Sequence, residues 1–260
     1  MNPSGYTTSV WMEEQPLRAF ISLDYDVECD VCIIGAGIAG LTTAYMLAQE
    51  GKDVVIIEKF PQIAQGETSR STAQLVIFTD FSYTLLKRMH GDQILLIAES
   101  HRAAKETIAR IAREEGIDCD YRPVPVFLFA PREKDEEKLD KEAEILQEIN
   151  VPVIRHNRLP TPGLPAYPCL EIPDMAQIHI LKYMYGLSAA VEDRGVKIFT
   201  NTKAVEIDEK EAYVLVTTEH GNTIRCRHLV TATNSPVSVL TGVHLKQSAW
   251  RTYVVGIQML

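Results

Sequence analysis

The chain has 260 residues, of which 26 are Lys or Arg and 35 are Asp or Glu, so its formal net charge at pH 7 is -9. Nucleic-acid binding relies on clustered Lys and Arg, and neither the total nor any local run supplies such a cluster. Apolar residues make up 46% of the chain, which is ordinary globular usage and argues against disorder. The composition therefore predicts a folded protein that does not bind nucleic acid.

The hydrophobic stretches of the chain are short. Runs such as Ile94–Ala98 fall far below the roughly 20 residues that a membrane-spanning helix needs. Residues 1–20 contain Glu13 and Glu14 and lack a basic start followed by an apolar run, so no secretory signal is predicted. We expect a cytoplasmic protein without a membrane span, whose five scattered cysteines stay reduced.

The first regular elements alternate in type along the chain. Asp30–Ile34 is a β-rich run, residues 35–40 form a glycine turn, and Leu41–Gln49 is a helix that ends near Gly51. Residues 53–58 predict a second strand, apolar like the first, as expected for parallel strands buried on both faces. The order predicted is strand, turn, helix, strand.

The middle of the chain departs from this order. A polar loop at 64–72 follows the second strand, where a plain dehydrogenase half would have a crossover helix. Helices are predicted at about 91–115, 134–149 and 178–194, and a strand at 120–130. The proline-rich segment 159–173 is expected to be irregular. Closely spaced strands are then predicted at 196–200, 204–207, 213–218, 223–227 and 229–232.

The glycine turn has the G-x-G-x-x-G spacing of a dinucleotide-binding fingerprint, between a strand and a helix. Gly35 permits the tight turn, Gly37 lets a pyrophosphate approach the backbone, and Gly40 lets the helix lie close to the strand. The helix start also offers unpaired N–H groups and a partial positive charge to phosphates. Ile38 and Ala39 are therefore candidate contacts together with the three glycines.

An acidic residue supports this interpretation of the turn. Glu58 ends the second strand, at the distance of about 20 residues at which the fingerprint places a carboxylate for the ribose hydroxyls. A carboxylate there disfavours a 2′-phosphate, so NADP is not expected, although the neighbouring Lys59 prevents a strict exclusion. The pattern predicts a bound adenine dinucleotide and leaves FAD and NAD open.

Several segments resemble FAD-dependent oxidoreductases of the D-amino-acid oxidase and glycine oxidase type, namely Thr8–Met12, Gly35–Ala48 and Gly66–Ala73. Ile178–Tyr183 and Arg251–Val255 resemble the bacterial branch in which such a flavin module precedes a Rieske iron–sulfur domain. The resemblance implies FAD as cofactor and an amine or amino acid as substrate, oxidised at its C–N bond by hydride transfer to flavin. No catalytic residue is identified, because such chemistry needs no dedicated base.

The resemblance also implies cofactor contacts outside the turn. The loop that matches Ser69, Arg70, Ser71 and Thr72 runs beside the pyrophosphate and flavin in the family, and hydroxyls and a guanidinium can bond to phosphate and flavin oxygens. The alternative is a solvated turn.

Two later positions also match the family's cofactor site. Ala204 matches a residue whose backbone pairs with adenine, and Thr233 lies at a later strand end of the family's site. Asn234 replaces the family's glycine there, and Asn tolerates positive φ better than most residues.

The fold implied is α/β, with a Rossmann-like FAD-binding domain of the glutathione-reductase type interrupted by part of an α+β substrate domain. Residues 1–28 are expected to be an irregular leader packed on the domain that begins at Cys29. The FAD-binding domain is expected to comprise 29–80 and 178–240. The partial substrate, or cap, domain is expected to comprise 81–177 and 241–260.

Alternatives remain open at this point. The family's substrate-clamping Arg and Tyr residues normally lie beyond the point where this sequence ends, so a fragment, a truncated form and half of a split enzyme are all considered. In each case a missing C-terminal half or an electron-transfer partner would complete the enzyme. Other classes are a dinucleotide-binding fragment without catalysis, an NAD-dependent enzyme and a thiazole-synthase-like protein.

Other motifs are set aside. Cys29 and Cys32 have redox spacing, but positions three apart in a regular strand face opposite ways, so no redox role is predicted. Cys226 and His228 form only half of a Rieske pair, and the seven histidines show no metal spacing, so no metal site is predicted. His179, at a predicted helix start, is expected to pack or to cap.

Overall fold

The computed structural model describes residues 8–15, 17–78 and 81–234. The predicted segment 241–260, the end of the segment 178–240 and the family-like Arg251–Val255 lie outside the described residues. Within the described ranges, no helix is both long enough and apolar enough to cross a membrane.

The described residues form ten strands and six α-helices. The strands are β1 (Val27–Ile34), β2 (Val54–Ile57), β3 (Gln74–Leu75), β4 (Arg122–Phe129), β5 (Ile154–His156), β6 (Cys169–Gln177), β7 (Lys197–Phe199), β8 (Ala204–Glu209), β9 (Val214–Thr218) and β10 (Thr223–Thr231). The helices are α1 (Val10–Glu14), α2 (Ile38–Gln49), α3 (Tyr83–His90), α4 (Ile94–Glu114), α5 (Glu136–Glu148) and α6 (Ile180–Asp193).

A six-stranded sheet, here called the first sheet, has the order β7-β2-β1-β10-β9-β8. Strands β7, β2, β1 and β10 are parallel, whereas β8 and β9 continue the sheet as antiparallel strands. The residues of β2 alternate between the two faces, and none of the four exceeds 1% exposure. Both faces of its centre are therefore buried, which explains why these strands are apolar throughout.

Helices α2 and α6 cover one face of the first sheet, where they pack on Val31, Ile33, Val54 and Ile56. The other face contributes Cys32, Val55, Ile57 and other buried side chains to a separate cluster that also contains Leu23 of the leader. The first sheet is thus packed on both of its faces.

The chain between β2 and α6 builds a second sheet, with the order β3-β6-β4 and with β5 also paired to β6. All of its pairings are antiparallel. Its buried side packs against residues of α3, α4 and α5, including Leu86, Ile94 and Leu146. Phe129 and Ile154 are each 48% exposed, so this sheet is less completely covered than the first.

Several elements differ from the predictions. The leader is not wholly irregular, because the hydroxyl of Ser9 accepts a hydrogen bond from the Trp11 amide and caps α1, and β1 begins at Val27 rather than Cys29. Helix α3 and strand β5 were not predicted. The segment ending at Pro173, predicted to be irregular, contains most of β6, which is stabilised by three neighbouring strands that its local sequence does not reveal. The two final predicted strands are one continuous strand, β10.

The prediction that Cys29 and Cys32 face opposite ways is wrong. The amides of Asp30 and Val31 both donate to the carbonyl oxygen of Asp53, each at 3.0 Å. Two successive residues opposite one partner residue form a β-bulge, which interrupts the alternation of side chains. Cys29 and Cys32 consequently pack in the same cluster, on the face of the first sheet away from α2 and α6.

Candidate cofactor-binding site

The glycine turn lies between the end of β1 and the start of α2. Gly35 has φ of +114°, and a Cβ there would lie 2.6 Å from the carbonyl oxygen of Ala232. A Cβ on Gly40 would lie only 1.9 Å from the carbonyl oxygen of Gly35. These positions need glycine because the strand end and the helix approach each other too closely for a side chain.

The Glu58 carboxylate lies directly beside this turn. Its Oε2 accepts a hydrogen bond from the Ala36 amide at 2.9 Å, and its Oε1 accepts one from the Phe60 amide at 3.0 Å. The Glu58 amide donates to the Phe199 carbonyl, and the Thr202 amide donates to the Glu58 carbonyl, each at 2.8 Å. A carboxylate has about four acceptor positions, so Glu58 keeps capacity for ribose hydroxyls.

The loop after β2 is attached to the same turn. The Ala64 amide donates to the Ala36 carbonyl at 3.0 Å, and the Thr68 hydroxyl accepts from the Ile38 amide at 3.2 Å. Residues Thr68–Arg70 form one turn of 3-10 helix, in which Ser69 is fully buried and its hydroxyl donates to the Gly66 carbonyl at 3.2 Å. The loop is therefore a fixed wall of the site.

The predicted site residues do not all contact the turn. Lys59 is exposed, and its ammonium lies 4.8 Å from the centre of the Phe60 ring. Ser71 and Thr72 are also exposed, and the Ser71 hydroxyl accepts from the Ala73 amide at 3.0 Å within the loop. Within the described residues none of these three side chains hydrogen bonds to the turn, whereas Arg70 is half-buried in the 3-10 helix.

The two positions predicted from the later strands lie near the same edge of the first sheet. Ala204 is buried at the start of β8, two positions after Thr202, whose amide bonds to Glu58. The amide nitrogen of Thr233 would be 3.6 Å from a Cβ on Gly35. Gly35, Glu58 and Thr233 thus lie where β1, β2 and β10 end, and the Thr202 hydrogen bond connects the start of β8 to Glu58.

Sequence reasoning missed two residues that hold this site together. Thr68 lies inside the loop identified from the sequence, but only the structure shows that its hydroxyl accepts a hydrogen bond from the Ile38 amide at the start of α2. The Trp11 indole N–H donates to the Ser71 carbonyl at 2.9 Å, which attaches α1 to the loop. No local signal in the sequence predicts a contact that joins residues so far apart.

His179 stabilises this attachment and caps α6, as predicted. Its Nδ1 accepts from the Lys182 amide at 3.3 Å, so the hydrogen is on Nε2, which donates to the Glu14 carboxylate at 3.1 Å. The imidazole ring lies 4.9 Å from the Trp11 ring. His179 is therefore structural, and the described residues contain no cluster suited to a metal ion.

The arrangement fits the adenylate and pyrophosphate parts of a dinucleotide. Gly37 and Ile38 are half-buried and Ala39 is exposed, so the first turn of α2 is reachable from solvent. Its N–H groups have no partners within the helix and carry the positive end of the helix dipole, but the Ile38 amide already donates to the Thr68 hydroxyl. The helix start offers hydrogen-bond donors and partial positive charge to an anion, and Glu58 offers acceptor oxygens to ribose hydroxyls.

Comparison with known proteins identifies the family. Residues 30–258 match the model of the FAD dependent oxidoreductase family, abbreviated DAO. The chain belongs to this family, and the predicted family, α/β fold and FAD cofactor are confirmed. The match favours FAD over the NAD-dependent and thiazole-synthase-like alternatives.

Individual relatives agree with the family match. The chain is 30% identical to the putative Rieske 2Fe-2S iron-sulfur protein YhfW of Bacillus subtilis strain 168 over 250 residues, which are 95% of this chain and 48% of that protein. It is 32% identical over 126 residues to gamma-glutamylputrescine oxidoreductase of Escherichia coli K12, covering 48% of this chain and 29% of that protein.

A solved structure shares the fold. Glycine oxidase from Geobacillus kaustophilus superposes with a TM-score of 0.70 at 19% identity, covering 85% of this chain and 59% of that one. At this identity the likeness shows the fold alone. The chain spans about half the length of the first relative and less than two thirds of the other two.

Proposed function

We propose that the protein oxidises the C–N bond of an amine or amino acid with FAD as cofactor. Family membership supports the oxidoreductase class, and similar proteins are named gamma-glutamylputrescine oxidoreductase, glycine oxidase and L-amino acid deaminase. The observation that carries the proposal is the Glu58 carboxylate, held beside the glycine turn with acceptor capacity to spare. When bound, the flavin supplies the hydride acceptor.

The residues of this chain bind and orient the cofactor in the proposal. The start of α2 binds the pyrophosphate, Glu58 accepts from the ribose hydroxyls, and Arg70 adds positive charge near the phosphates. The backbone of Ala204 faces adenine. The full proposed set is Gly35, Gly37, Ile38, Ala39, Gly40, Glu58, Lys59, Ser69, Arg70, Ser71, Thr72, Ala204 and Thr233.

We also propose the division into domains and an electron-transfer partner. The first sheet and its helices, from 29–80 and 178–240, would form the FAD-binding domain, and 81–177 with 241–260 would contribute to the substrate domain. The second sheet supports this division because β4, β5 and β6 lie within 81–177, while β3 joins it from within 29–80. An iron–sulfur electron acceptor is proposed from the name of the Bacillus subtilis relative.

Cofactor binding is tested by titrating FAD into the purified protein and following the flavin fluorescence. We expect Glu58→Gln to weaken binding at least about tenfold, because a charge-assisted hydrogen bond contributes roughly 1.5–3 kcal/mol. The matched control is Glu50→Gln, an exposed residue at the other end of α2, which should leave the affinity unchanged. Equal affinity of both variants would overturn the assignment of Glu58.

Turnover is tested by anaerobic reduction with a panel of amines and amino acids. Loss of the flavin absorbance with one substrate class supports the proposed reaction and identifies that class. Tight FAD binding without bleaching by any member would instead favour a nucleotide-binding role without catalysis.

A further inference from the structure

Three thiols lie together on one face of the first sheet. Cys29 of β1 is the direct neighbour of Cys226 of β10 in the parallel register. The bulge at Asp30 brings Cys32 to the same face, where its thiol lies beside that of Cys226. The proposed cofactor site uses none of the three.

The strand register decides which two thiols can be joined. Neighbouring strands lie about 4.8 Å apart, and disulfides link residues whose Cα atoms are about 4.4–6.8 Å apart. Cys29 and Cys226 occupy directly paired positions and meet this requirement. Cys32 is paired with Leu229 instead, so it lies diagonally from Cys226 and is less suited to a covalent bond.

A surface cavity of about 460 Å³ is lined by both Cys29 and Cys226. Its polar wall includes Arg225, whose guanidinium lies 4.3 Å from the centre of the Tyr213 ring. Cys226 itself is 1% exposed, so a reagent must enter the cavity to reach its sulfur. A hydroperoxide little larger than water, which occupies about 30 Å³ in the liquid, is small enough to enter.

The surroundings distinguish the two thiols chemically. The neighbouring Cys32 lowers the pKa of the Cys226 thiol, against the opposing effect of burial, and the Cys226 thiol lies 3.7 Å from the Val214 carbonyl oxygen, to which it donates. Burial and the neighbouring Cys226 raise the pKa of Cys29 to about 12. Because the thiolate is the nucleophile, Cys226 is the group that attacks and Cys29 is the thiol that closes the bond.

We propose that Cys226 and Cys29 form a reversible disulfide when a hydroperoxide enters this cavity, with Cys32 as a positioning residue. The Cys226 thiolate attacks one peroxide oxygen, the O–O bond breaks, and a sulfenic acid and hydroxide result. Hydroxide takes up the proton that the Cys226 thiol had released. The Cys29 sulfur then displaces water from the sulfenic acid, so two thiols and one hydrogen peroxide give one disulfide and two waters.

The bond would connect the two strands that also build the glycine turn. The Ala232 amide, just after β10, donates to the Ile34 carbonyl at the end of β1 at 2.9 Å. The disulfide would therefore fix the spacing of β1 and β10 at a second point along the same pair. The proposal is independent of the cofactor and of the reaction that the protein catalyses.

The experiment treats the purified full chain with hydrogen peroxide, measures its intact mass and maps disulfides by peptide mass spectrometry. We expect the loss of two hydrogens, a Cys29–Cys226 linked peptide and full reversal by dithiothreitol. Cys226→Ser should abolish the linkage. Cys29→Ser should leave a sulfenic acid on Cys226 that reacts with dimedone, a readout that a merely structural effect would not produce.

The role of Cys32 is tested through the rate. Cys32→Ala should slow oxidation at pH 7 roughly threefold, because the Cys226 thiol would be ionised to a smaller extent while its thiolate would be a stronger nucleophile. Cys32→Ser keeps a hydrogen-bond donor beside Cys226 and should restore the rate. Cys119→Ser and Cys169→Ser are controls that should oxidise normally, and circular dichroism establishes that each variant folds. An unchanged wild-type mass, or a disulfide that involves Cys119 or Cys169, would overturn the proposal.

Discussion

The two sheets differ in how completely their strands are covered. In the first sheet, β2 is buried on both faces and the site lies at the ends of the strands. In the second sheet, Phe129 and Ile154 remain half-exposed, and neither β4 nor β5 contains a buried residue. A sheet covered on both faces can bind a ligand only at its strand ends, whereas the second sheet leaves apolar area open on a face.

The sheets also use a buried carboxylate in different ways. Glu58 accepts two backbone hydrogen bonds and retains acceptor positions beside the glycine turn. Glu142, near the second sheet, is 6% exposed and accepts from the Tyr83 amide at 2.6 Å, the Thr84 amide at 2.9 Å and the Thr84 hydroxyl at 2.6 Å. The first carboxylate is therefore suited to binding, and the second is structural.

The largest expected effect is at the glycine turn. Gly40→Ala would place a Cβ 1.9 Å from the Gly35 carbonyl oxygen, and backbone on both sides cannot move aside cheaply. We expect at least about 3 kcal/mol of destabilisation in urea unfolding, together with loss of FAD binding. Gly66→Ala, which meets nothing within 4 Å, is the control for stability. Equal urea midpoints for Gly40→Ala and Gly66→Ala would contradict the close packing of α2 on β1.

The next effect separates the two sheets. Glu142→Ala removes the acceptor of three donors near the second sheet and should cost roughly 3 kcal/mol, because buried donors would lose their partners. Hydrogen exchange should accelerate in α3 and α5 while FAD affinity stays unchanged. Glu144→Ala, exposed on the same helix, is the control. A comparable loss of FAD affinity would refute the separation of structural and binding carboxylates.

A smaller effect concerns the contact that Glu115, at the end of α4, makes with Tyr45 of α2 and with Arg194 at the end of α6. The Glu115 carboxylate accepts from the Tyr45 hydroxyl at 2.5 Å and from the Arg194 guanidinium at 2.6 Å. The Tyr45 hydrogen bond, followed by Arg194, lowers the pKa of Glu115. The resulting stability is present above the ordinary Glu pKa of about 4.3 and is lost as the pH falls through the lower folded-state pKa.

Glu115→Gln should therefore reduce the free energy of unfolding by about 2 kcal/mol at pH 7 and flatten its decline in acid, as measured by urea unfolding between neutral pH and about pH 3. Glu114→Gln is the control, since its exposed pair with Arg110 contributes roughly 0.5 kcal/mol or less. An undiminished acid dependence in Glu115→Gln would show that other groups cause it.

The smallest effect tests the leader's hold on the first sheet's site. Trp11→Phe removes the hydrogen bond to the Ser71 carbonyl and should cost about 1 kcal/mol, with a several-fold weaker FAD affinity because the loop is less firmly held. Thermal unfolding and FAD titration measure both quantities. Val10→Ala, on the exposed side of α1 at 58% exposure, should change neither.

Local patterns were enough to predict the strand, turn, helix and strand around Gly35, and together with Glu58 they predicted an adenine dinucleotide. These features are local, because an apolar period, a tight turn and an acidic strand end each depend on neighbouring residues. Ala204 and Thr233 stay predictions that rest on the resemblance to the family.

Contacts between distant segments were not predictable in this way. Strand β6 depends on three partner strands, the Thr68 and Trp11 contacts join distant segments, and the bulge opposite Asp53 turned Cys29 and Cys32 to one face. Each depends on a backbone group whose partner lies far away along the chain. Such pairings are set by the packing of whole elements, which no short window of residues encodes.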